Sequence, residues 1–510
     1  MTISTKLPTG LYQAHQVREL DRIAIQDLGI PGARLMERAG AVTFQAMSEK
    51  WLDARRIRVL CGGGNNGGDG FVIARYAKCA GLEVKVFLLG EPSRLVGDAL
   101  GAFNAMLNAG VTPETFTTDT LDVDLHDADV VVDALFGTGL DREVSGHWAE
   151  AIAAINQAPG GTVAVDIPSG LHADNGRILG CAVQADLTVT FIGLKQGLFT
   201  GQGRDQCGDI RFDDLSVPRE VYERFPTNAQ RIDYDTEYPV LKPRARTAHK
   251  GDFGHVLVVG GELGFAGATR MAGEAAARAG AGLVSIATRK AHATTIGIGR
   301  PELMCHGIET VEELEPLLSR ATVVAIGPGL GQSTWGRQMF DAVLATDIPM
   351  VIDADGLNLL AALSEHKTGN HPTKRSNRVL TPHPGEAARL LDCTTEAIQN
   401  DRFGSIQSLV ERFGGTCILK GSGTLILNEQ DALCVATDGN PGMATGGMGD
   451  ALTGVIAGLM AQGIKTYHAA RFAVCLHGRA ADITAQRYGE RGMLAGDLMR
   501  RIRRLVNGIT

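Results

Sequence analysis

The sequence predicts two different α/β domains in one chain, and three observations lead to this prediction. The chain of 510 residues is too long for one ordinary hydrophobic core. Apolar strand-like runs alternate with helical stretches in both halves, which is typical of parallel sheets with helices between the strands. Between the halves, the stretch 217–250 contains four prolines and ends in basic residues, as expected of an interdomain connection.

The first half is predicted to form a mainly parallel, doubly wound α/β/α domain. Two helices are expected between residues 11 and 50, ahead of the strands. The predicted strands are 57–61, 84–88, 130–133, 162–166, 187–191 and 208–211. Because parallel strands end at a common edge, the loops after them are predicted to form the binding site.

The second half is predicted to form another α/β domain of a different kind. Its predicted strands are 255–259, 323–326, 350–353, 379–381 and 417–420. No internal repeat relates the two halves, so they are interpreted as a fusion of two unlike domains. The polar stretch 365–378 is predicted to be a surface loop.

The composition is typical of a globular protein and argues against two classes of partner. Apolar residues make up 44% of the chain and charged residues 21%, and the net charge of −8 disfavours a nucleic-acid surface. The nine cysteines include no C-x-x-C pair and are expected to be reduced. We find neither a signal peptide nor a stretch long enough to span a membrane, so a cytoplasmic location is expected.

The segment from Asn440 to Gly454 is the most informative part of the chain. A glycine-rich turn leads into an apolar helix predicted from Leu452, so that several backbone N–H groups and the positive helix end point at one place. This predicts an anion site. Asp450 lies at its mouth, where a carboxylate can take a proton from a hydroxyl that attacks a phosphate. The alternative is an ordinary helix-capping Asp after a flexible loop.

A second glycine-rich segment, Gly62–Gly70, follows the first predicted strand. Its glycines allow the backbone to approach a pyrophosphate, and the helix predicted from Phe71 adds positive potential. An ordinary dinucleotide-binding loop does not carry two Asn and one Asp. Asp69 beside a diphosphate would be repelled, so it is expected to face ribose hydroxyls or a cation.

Two further strand ends in the first half carry oxygen ligands. One is the run from Asp133 to Glu143, and the other is Asp166–Gly170, in which Pro168 predicts a rigid turn. Carboxylate, amide and carbonyl oxygens from neighbouring loops suit a hard cation. The alternative is that Asp133 and Asp166 only cap their loops.

The second half has comparable groups after its strands. Asp353 and Asp355 end one strand, where they are suited to orient Mg²⁺-bound water or a basic loop. His383 lies between two prolines, which favours a ligand contact. The run Lys420–Thr424 follows the last strong strand and is predicted to bind a nucleotide phosphate.

In the first half, the runs around Leu35–Gly40, Asn65–Gly70, Asp133–Leu140 and Asp166–Gly170 strongly resemble the NAD(P)H-hydrate epimerase family, whose fold is Rossmann-like. The resemblance covers residues 11 to about 215. It implies a potassium ion held by Asn66, Asp133 and Ser169, and an acid/base role for Asp166 in inverting C6 of the hydrated nicotinamide. It also implies substrate contacts from the following residues: Asn65, Asn66, Gly67, Gly68, Asp69, Gly137, Thr138, Gly139, Leu140, Asp141, Arg142, Glu143 and Asp166.

In the second half, the order of the motifs is similar to that in the ADP-dependent NAD(P)H-hydrate dehydratase family, which has a ribokinase-like fold. The resemblance covers roughly 240–505. It implies that Ala268, Gly329, His383 and Asp450 contact the hydrated cofactor. It implies ADP contacts from Lys420, Gly421, Ser422, Gly423, Thr424 and Gly449, with Mg²⁺ accompanying ADP. Met448 stands where many ribokinase-like kinases have a smaller residue, but it supplies the same backbone.

Together the resemblances imply a bifunctional enzyme that repairs hydrated NADH and NADPH (NADHX and NADPHX). The expected organisation is an epimerase domain at 1–225, a linker at 226–245 and a dehydratase domain at 246–510. The expected substrates are NADHX, NADPHX and ADP, and the chain is expected to form a homo-oligomer. Two alternatives stay open: a small-molecule kinase fused to a regulatory domain, and a nucleotide-sensing scaffold with vestigial pockets.

Overall fold

The chain forms two compact units, Met1–Gln230 and Arg231–Thr510, in a computed structural model that describes residues 7–115, 124–366 and 374–509. The division after Gln230 falls within the stretch 226–245 that the sequence marks as a connection. From Arg231 onward, this stretch belongs to the fold of the second unit. Tyr234 is buried there, and its hydroxyl donates to the carbonyl of Leu505 at 2.7 Å.

The first unit is built around a seven-stranded sheet in which every pairing is parallel. The strands of this unit are β1 (Gly10–Tyr12), β2 (Arg56–Cys61), β3 (Glu83–Leu88), β4 (Pro113–Thr115), β5 (Val130–Ala134), β6 (Gly161–Val165), β7 (Leu187–Phe191), β8 (Leu194–Lys195) and β9 (Asp209–Asp213). The order in the sheet is β4-β3-β2-β5-β6-β7-β9, and β1 pairs separately with β8. The order reverses between β2 and β5, which is where such sheets open a binding crevice.

Helices flank this sheet, and its strands β5, β6 and β7 are accordingly mostly apolar and buried. The helices of the unit are α1 (Ala14–Arg22), α2 (Gly32–Lys50), α3 (Asn65–Cys79), α4 (Gly97–Asn108), α5 (His147–Gln157), α6 (Gly203–Gln206) and α7 (Arg219–Arg224). Every residue of β5 is buried, and Val59, Val163 and Val189 of neighbouring strands join it in the main core.

Helix α3 begins earlier than the sequence predicts. The run Asn65–Gly70 forms its first turns, although it was expected to be a loop ahead of Phe71. The glycines allow these turns to lie directly on the backbone of the sheet. A Cβ on Gly67 would lie 1.8 Å from the carbonyl oxygen of Gly62, and one on Gly70 would lie 2.6 Å from Sγ of Cys61. Close packing therefore outweighs the low helix propensity of glycine.

The second unit contains a nine-stranded sheet of mixed direction. Strand β10 (Ala229–Ile232) lies at the unit boundary, and the sheet is formed by β11 (His255–Val259), β12 (Leu283–Thr288), β13 (Met304–Gly307), β14 (Val323–Ile326), β15 (Met350–Ile352), β16 (Arg378–Leu380), β17 (Thr416–Leu419), β18 (Leu425–Leu427) and β19 (Leu433–Ala436). The order is β13-β12-β11-β14-β15-β16-β17-β18-β19. The strands from β13 to β17 are parallel, and the β17-β18-β19 pairings are antiparallel.

The helices of the second unit cover this sheet. They are α8 (Tyr234–Glu237), α9 (Ala266–Ala279), α10 (Lys290–Gly299), α11 (Val311–Leu318), α12 (Thr334–Leu344), α13 (Ala354–His366), α14 (Pro384–Leu391), α15 (Thr395–Asn400), α16 (Arg402–Phe413), α17 (Met448–Ala461), α18 (Thr466–Tyr488) and α19 (Ala495–Leu505). Much of the loop predicted at 365–378 lies outside the described residues. Among the helices of the described ranges, none combines the length and apolar character needed to cross a membrane.

Candidate active sites

A cavity of about 750 Å³ opens in the first unit where the sheet order reverses. The predicted substrate residues that line it are Asn65, Asn66, Asp69, Gly137, Thr138, Gly139, Leu140, Asp141, Arg142 and Asp166. Three other predicted contacts, Gly67, Gly68 and Glu143, do not line this cavity. Gly67 and Gly68 instead pack against the protein, on Gly62 and Met36 respectively.

The three residues predicted to hold potassium lie together beside this cavity. The Oγ of Ser169 donates to Oδ1 of Asp133 at 2.6 Å, and its backbone N–H donates to Oδ2 at 2.8 Å. Asn66 Nδ2 donates to the carbonyl of Phe136 at 2.9 Å, and the N–H of Phe136 donates to Oγ of Ser169. Complete burial raises the pKa of Asp133 to about 6, against the hydrogen bonds from Ser169 and Leu135. A nearby cation would keep this carboxylate ionised.

Asp166 forms an ion pair that the sequence did not reveal. Its Oδ1 is contacted by Nζ of Lys195, which is fully buried at the end of β8. The same ammonium donates to Oγ1 of Thr190 at 2.9 Å and to the carbonyl of Phe191 at 3.1 Å. Asp166 itself has φ of +67°, a conformation that Asp tolerates better than most residues. The strained backbone and the fixed lysine hold this carboxylate in one orientation.

Two more carboxyl groups face the Asp166–Lys195 pair across the cavity. Burial raises the pKa of Asp21 to about 6, with Lys195 lowering it and Asp166 raising it. Burial, followed by the charges of Asp166 and Asp21, raises the pKa of Asp69 well above its ordinary range. Among the charged groups that act on Asp69, Lys195 is the cation, and it lowers the pKa of Asp69. Asp21, Asp69, Asp166 and Lys195 all line the same cavity.

In the second unit, Asp450 lies in the first turn of α17, which begins at Met448 rather than at the predicted Leu452. Gly447 precedes the helix with φ of +90°, a conformation suited to glycine. Burial and then the charge of Asp353 raise the pKa of Asp450 to about 7, while Lys420 lowers it. A carboxylate with this pKa is suited to act as a general base near neutral pH.

A buried ion pair lies next to Asp450. Nζ of Lys420 donates to Oδ1 of Asp353 at 2.9 Å, and Asp353 is only 1% exposed. Asp353 also accepts from Oγ1 of Thr381 at 2.7 Å and from Oγ1 of Thr453 at 2.8 Å. A Cβ on Gly449 would lie 3.3 Å from Nζ of Lys420, so the predicted ADP contacts Gly449 and Lys420 are adjacent.

His383 caps α14 and lies at the same edge. Its Nδ1 accepts from the N–H of Gly385 at 3.0 Å, and its Nε2 lies 3.4 Å from Oε1 of Glu386. Half of the His383 side chain is exposed, and burial of the remainder lowers its pKa. The imidazole is therefore neutral and accessible to a ligand. Glu386 is buried and approaches Lys420 to 3.8 Å.

The run Lys420–Thr424 is a tight glycine turn supported by a buried arginine. Gly421 and Gly423 have φ of +138° and +62°. Arg402, only 2% exposed, donates to the carbonyls of Leu419, Lys420 and Gly423 at 3.3 to 3.4 Å. Because Arg402 occupies these carbonyls, the turn is rigid. A rigid turn favours binding of a phosphate through the backbone N–H groups of the turn.

Ala268 and Gly329, the other predicted cofactor contacts, lie side by side. Ala268 is in the first turn of α9, and Gly329 follows β14 with φ of +55°. A Cβ on Gly329 would lie 3.2 Å from that of Ala268. Gly329, Asp353, His383 and Lys420 follow the parallel strands β14, β15, β16 and β17 respectively, as the sequence indicates.

The residues that the sequence did not reveal share one property. Lys195, Asp21, Arg402 and Glu386 act through buried charge, and their partners are distant in the sequence. Only Lys195 carried a signal, because it is a single cation inside the otherwise uncharged run 187–203.

Comparison with known proteins places both halves in known families. Residues 256–504 match a family described as NAD(P)H-hydrate dehydratase, and residues 32–197 match one described as YjeF-related protein N-terminus. A solved structure of a ribokinase-like superfamily protein from Enterococcus faecalis is 29% identical, with a TM-score of 0.50. It covers 56% of this chain and 97% of its own, which confirms the ribokinase-like fold predicted for the second half.

Two curated relatives span almost the whole chain. The bifunctional NAD(P)H-hydrate repair enzyme of Coxiella burnetii is 47% identical over 98% of this chain and 100% of its own. The enzyme of the same name from Escherichia coli is 44% identical over 98% of this chain and 95% of its own. With two active-site regions built on the two matched halves, the chain belongs to the family of bifunctional NAD(P)H-hydrate repair enzymes.

Proposed function

We propose that this enzyme repairs NADHX and NADPHX in two reactions carried out by different parts of the chain. An epimerase domain at 1–225 interconverts the R and S forms at C6, and a dehydratase domain at 246–510 converts the S form into NADH or NADPH with ADP. The stretch 226–245, predicted as the linker, contains the boundary between the two units after Gln230. One observation carries the proposal: Asp450, a base with a pKa of about 7, lies next to Lys420 and its glycine turn.

The epimerase reaction requires a proton to move to and from the oxygen on C6. This carbon bears both the added hydroxyl and the ring nitrogen, so one of those bonds must break and re-form on the other face. Asp166 is the acid/base, and Lys195 keeps it oriented toward the cavity. The neighbouring Asp69, whose raised pKa favours the protonated form, supplies a hydrogen-bond donor to the same region.

Potassium fits the oxygen atoms beside this cavity. Asn66, Asp133 and Ser169 would hold it, and the carbonyl of Phe136 lies among them. When bound, the ion would supply positive charge beside the Asp133 carboxylate. Of the predicted set, Asp133 provides the only charged ligand, which suits a monovalent cation better than a small divalent one.

The dehydratase reaction replaces a poor leaving group with a good one. Asp450 takes the proton of the C6 hydroxyl, and the C6 oxygen bonds to the β-phosphorus of ADP. The bond from that phosphorus to the bridging oxygen breaks, and AMP leaves with the electron pair. The C6–O bond then breaks, inorganic phosphate departs, and loss of a proton from C5 forms the C5=C6 double bond. The net reaction converts NADHX and ADP into NADH, AMP and phosphate.

The residues around Asp450 have complementary roles in this reaction. Lys420 and the backbone of Gly421–Thr424 bind the phosphates of ADP together with Gly449. Ala268, Gly329 and His383 contact the hydrated nicotinamide nucleotide. Within the described residues, no three His, Cys, Asp or Glu side chains are arranged to hold a metal. Mg²⁺ therefore fits as an ion that arrives on the diphosphate of ADP, where it neutralises phosphate charge.

The setting that we propose is the cytoplasm, with no nucleic-acid or membrane partner. Its support is that all nine cysteines are free, which is usual in a reducing compartment. A homo-oligomeric state stays a prediction from the sequence.

The direct test of the two-reaction proposal follows both epimers of NADHX by chromatography while NADH is followed by its absorbance. With potassium, Mg²⁺ and ADP present, we expect both epimers to disappear and NADH to form to completion. With ADP omitted, the two epimers should still interconvert and no NADH should form. If the R form disappeared only at its slow spontaneous rate in the complete mixture, the epimerase assignment would be wrong.

A further inference from the structure

Asp353 is a buried carboxylate at which four parts of the second unit meet. It follows β15, and both of its oxygens are used. Oδ1 accepts from Lys420 after β17 and from Thr381 after β16, and Oδ2 accepts from Thr453 of α17. Its position behind the Lys420 ammonium makes it a support for the groups that bind ligands.

The ion pair is strong enough to fix the lysine. A buried charge is costly unless it is paired and hydrogen-bonded. Burial favours the neutral form of Asp353, but the charge of Lys420 and the hydrogen bonds from Lys420, Thr381 and Thr453 together outweigh burial and lower the pKa of the carboxyl. Asp353 takes one of the three N–H donors of Lys420, and Glu386 lies 3.8 Å away on another side. The ammonium is thus held between two carboxyl groups.

The second oxygen of Asp353 holds the helix that carries the proposed base. Thr453 lies three residues after Asp450 on α17. Its hydroxyl donates the hydrogen bond to Asp353, and this bond sets the rotation of the first turn of the helix. Gly449 approaches the pair closely, since a Cβ there would lie 3.4 Å from Oδ2 of Asp353. One carboxylate therefore connects the nucleotide turn to the helix end.

We propose that Asp353 is a positioning residue for phosphoryl transfer, which aligns Lys420 and the start of α17 so that ADP and Asp450 meet in one geometry. The inference rests on the proposed dehydratase reaction. The inference adds to that reaction a residue, Asp353, that touches neither substrate and acts through Lys420 and Thr453.

The charge of Asp353 also affects the pKa of Asp450. The charged groups that face Asp450 are Asp353, Lys420, Asp355 and Glu386. Asp353, Asp355 and Glu386 raise the pKa of Asp450, and Lys420 lowers it. Removing the charge of Asp353 takes away a raising influence and leaves Lys420 without its principal counter-ion. The acidic limb of the dehydratase pH profile should then move to lower pH.

The test compares Asp353→Asn, Thr453→Val and Thr416→Val in the full-length protein, with dehydration assayed on the S form. Thr416 is the matched control, because it is a buried threonine on β17 whose hydroxyl has no hydrogen-bond partner. For Asp353→Asn we expect a loss in kcat of roughly ten- to a hundred-fold, a higher KM for ADP and a shift of the acidic limb to lower pH. Thr453→Val should lose kcat without a pH shift, and Thr416→Val should match wild type.

Epimerase activity of the same samples serves as a folding control. Wild-type kcat, KM for ADP and pH profile in Asp353→Asn would overturn the inference. If Asp353→Asn loses both activities, the Thr453→Val variant tests the inference instead. A reduced kcat with an unchanged pH midpoint in Thr453→Val would support the positioning role of Asp353. A wild-type kcat in Thr453→Val would overturn it. Absence of ADP-dependent dehydration in the wild-type enzyme would instead contradict the proposed function.

Discussion

Asp166 and Asp450 are the residues to which we assign proton transfer in the two units, and their surroundings differ. Asp166 is paired with the buried Lys195, which holds its side chain in one orientation. Asp450 has carboxyl groups of Asp353, Asp355 and Glu386 around it and is mostly buried, which raises its pKa to about 7. The same residue type is thereby suited to two reactions, and each assignment can be tested by a single substitution.

Asp450→Asn should abolish dehydration and leave epimerisation intact. The amide has nearly the same shape but cannot accept the proton of the C6 hydroxyl, and loss of a general base costs on the order of 10²- to 10⁴-fold. NADH formation from the S form measures the loss, and interconversion of the epimers in the same sample is the control. Dehydration within a few-fold of wild type would remove Asp450 from this role.

The pH dependence of dehydration follows from the same carboxyl group. Because Asp450 must be ionised to act as a base, kcat/KM should be low at acidic pH and rise through a midpoint near 7, the pKa of the group. The measurement is initial NADH formation over a range of pH with the S form as substrate. A profile that stays flat across this range would contradict the assignment.

Asp166→Ala should stop use of the R form beyond its slow spontaneous inversion, while the S form is still dehydrated. A progress curve on mixed epimers should therefore stall near the fraction that is already S. Asp133→Ala is the comparison, since we expect it to weaken potassium dependence and nucleotide affinity without removing the acid/base. A smooth curve to completion at the wild-type rate in Asp166→Ala would falsify the role of Asp166.

At the scale of single residues, the sequence predicts polar groups that immediately follow strands. Asp133, Asp166 and Lys420 belong to this class, because the end of a parallel strand has a defined place at the sheet edge. The Asp450 motif is recognised differently, from the glycine-rich turn that leads into a helix. Lys195, Arg402 and Asp21 could not be assigned in this way. Their roles depend on burial and on partners brought close only by tertiary packing.

At the scale of elements, glycine decides where the functional helices begin and how closely they pack. A Cβ on Gly454 would lie 2.0 Å from the carbonyl of Ala272, and one on Gly458 would lie 2.6 Å from that of Ala276. Helices α17 and α9 therefore touch backbone to backbone. The sequence predicted the helix that corresponds to α17 but not its true start, since residues 448–451 had the composition of a turn and packing made them helical.

Gly447→Ala tests the importance of this helix start. Alanine at φ of +90° is strained by about 1 to 2 kcal/mol, and its Cβ would lie 2.7 Å from the Met271 side chain. We expect a roughly tenfold fall in kcat/KM for dehydration with unchanged epimerisation. Gly446→Ala is the matched control, because a Cβ there meets nothing within 4 Å. Equal activities of the two variants would show that the turn geometry does not matter.

At the scale of the whole molecule, each unit has its own core and its own candidate site. The sequence correctly predicted an α/β fold for both halves, because strand and helix signals alternate clearly. It missed β1, β4, β8, β10, β12, β13, β18 and β19. Two of these, β18 and β19, are short antiparallel strands whose pairing is set by neighbours rather than by their own composition. The family match across both halves argues against a kinase with a regulatory domain.

The central claim is that phosphoryl transfer from ADP drives the dehydration, and the stoichiometry of products tests it most directly. Purified enzyme is incubated with the S form of NADHX, Mg²⁺ and ADP, and NADH, AMP and phosphate are quantified over time. We predict that the three products appear in equal amounts and that omission of ADP leaves NADHX unchanged. Formation of NADH at the full rate without nucleotide, or without matching AMP and phosphate, would contradict the account.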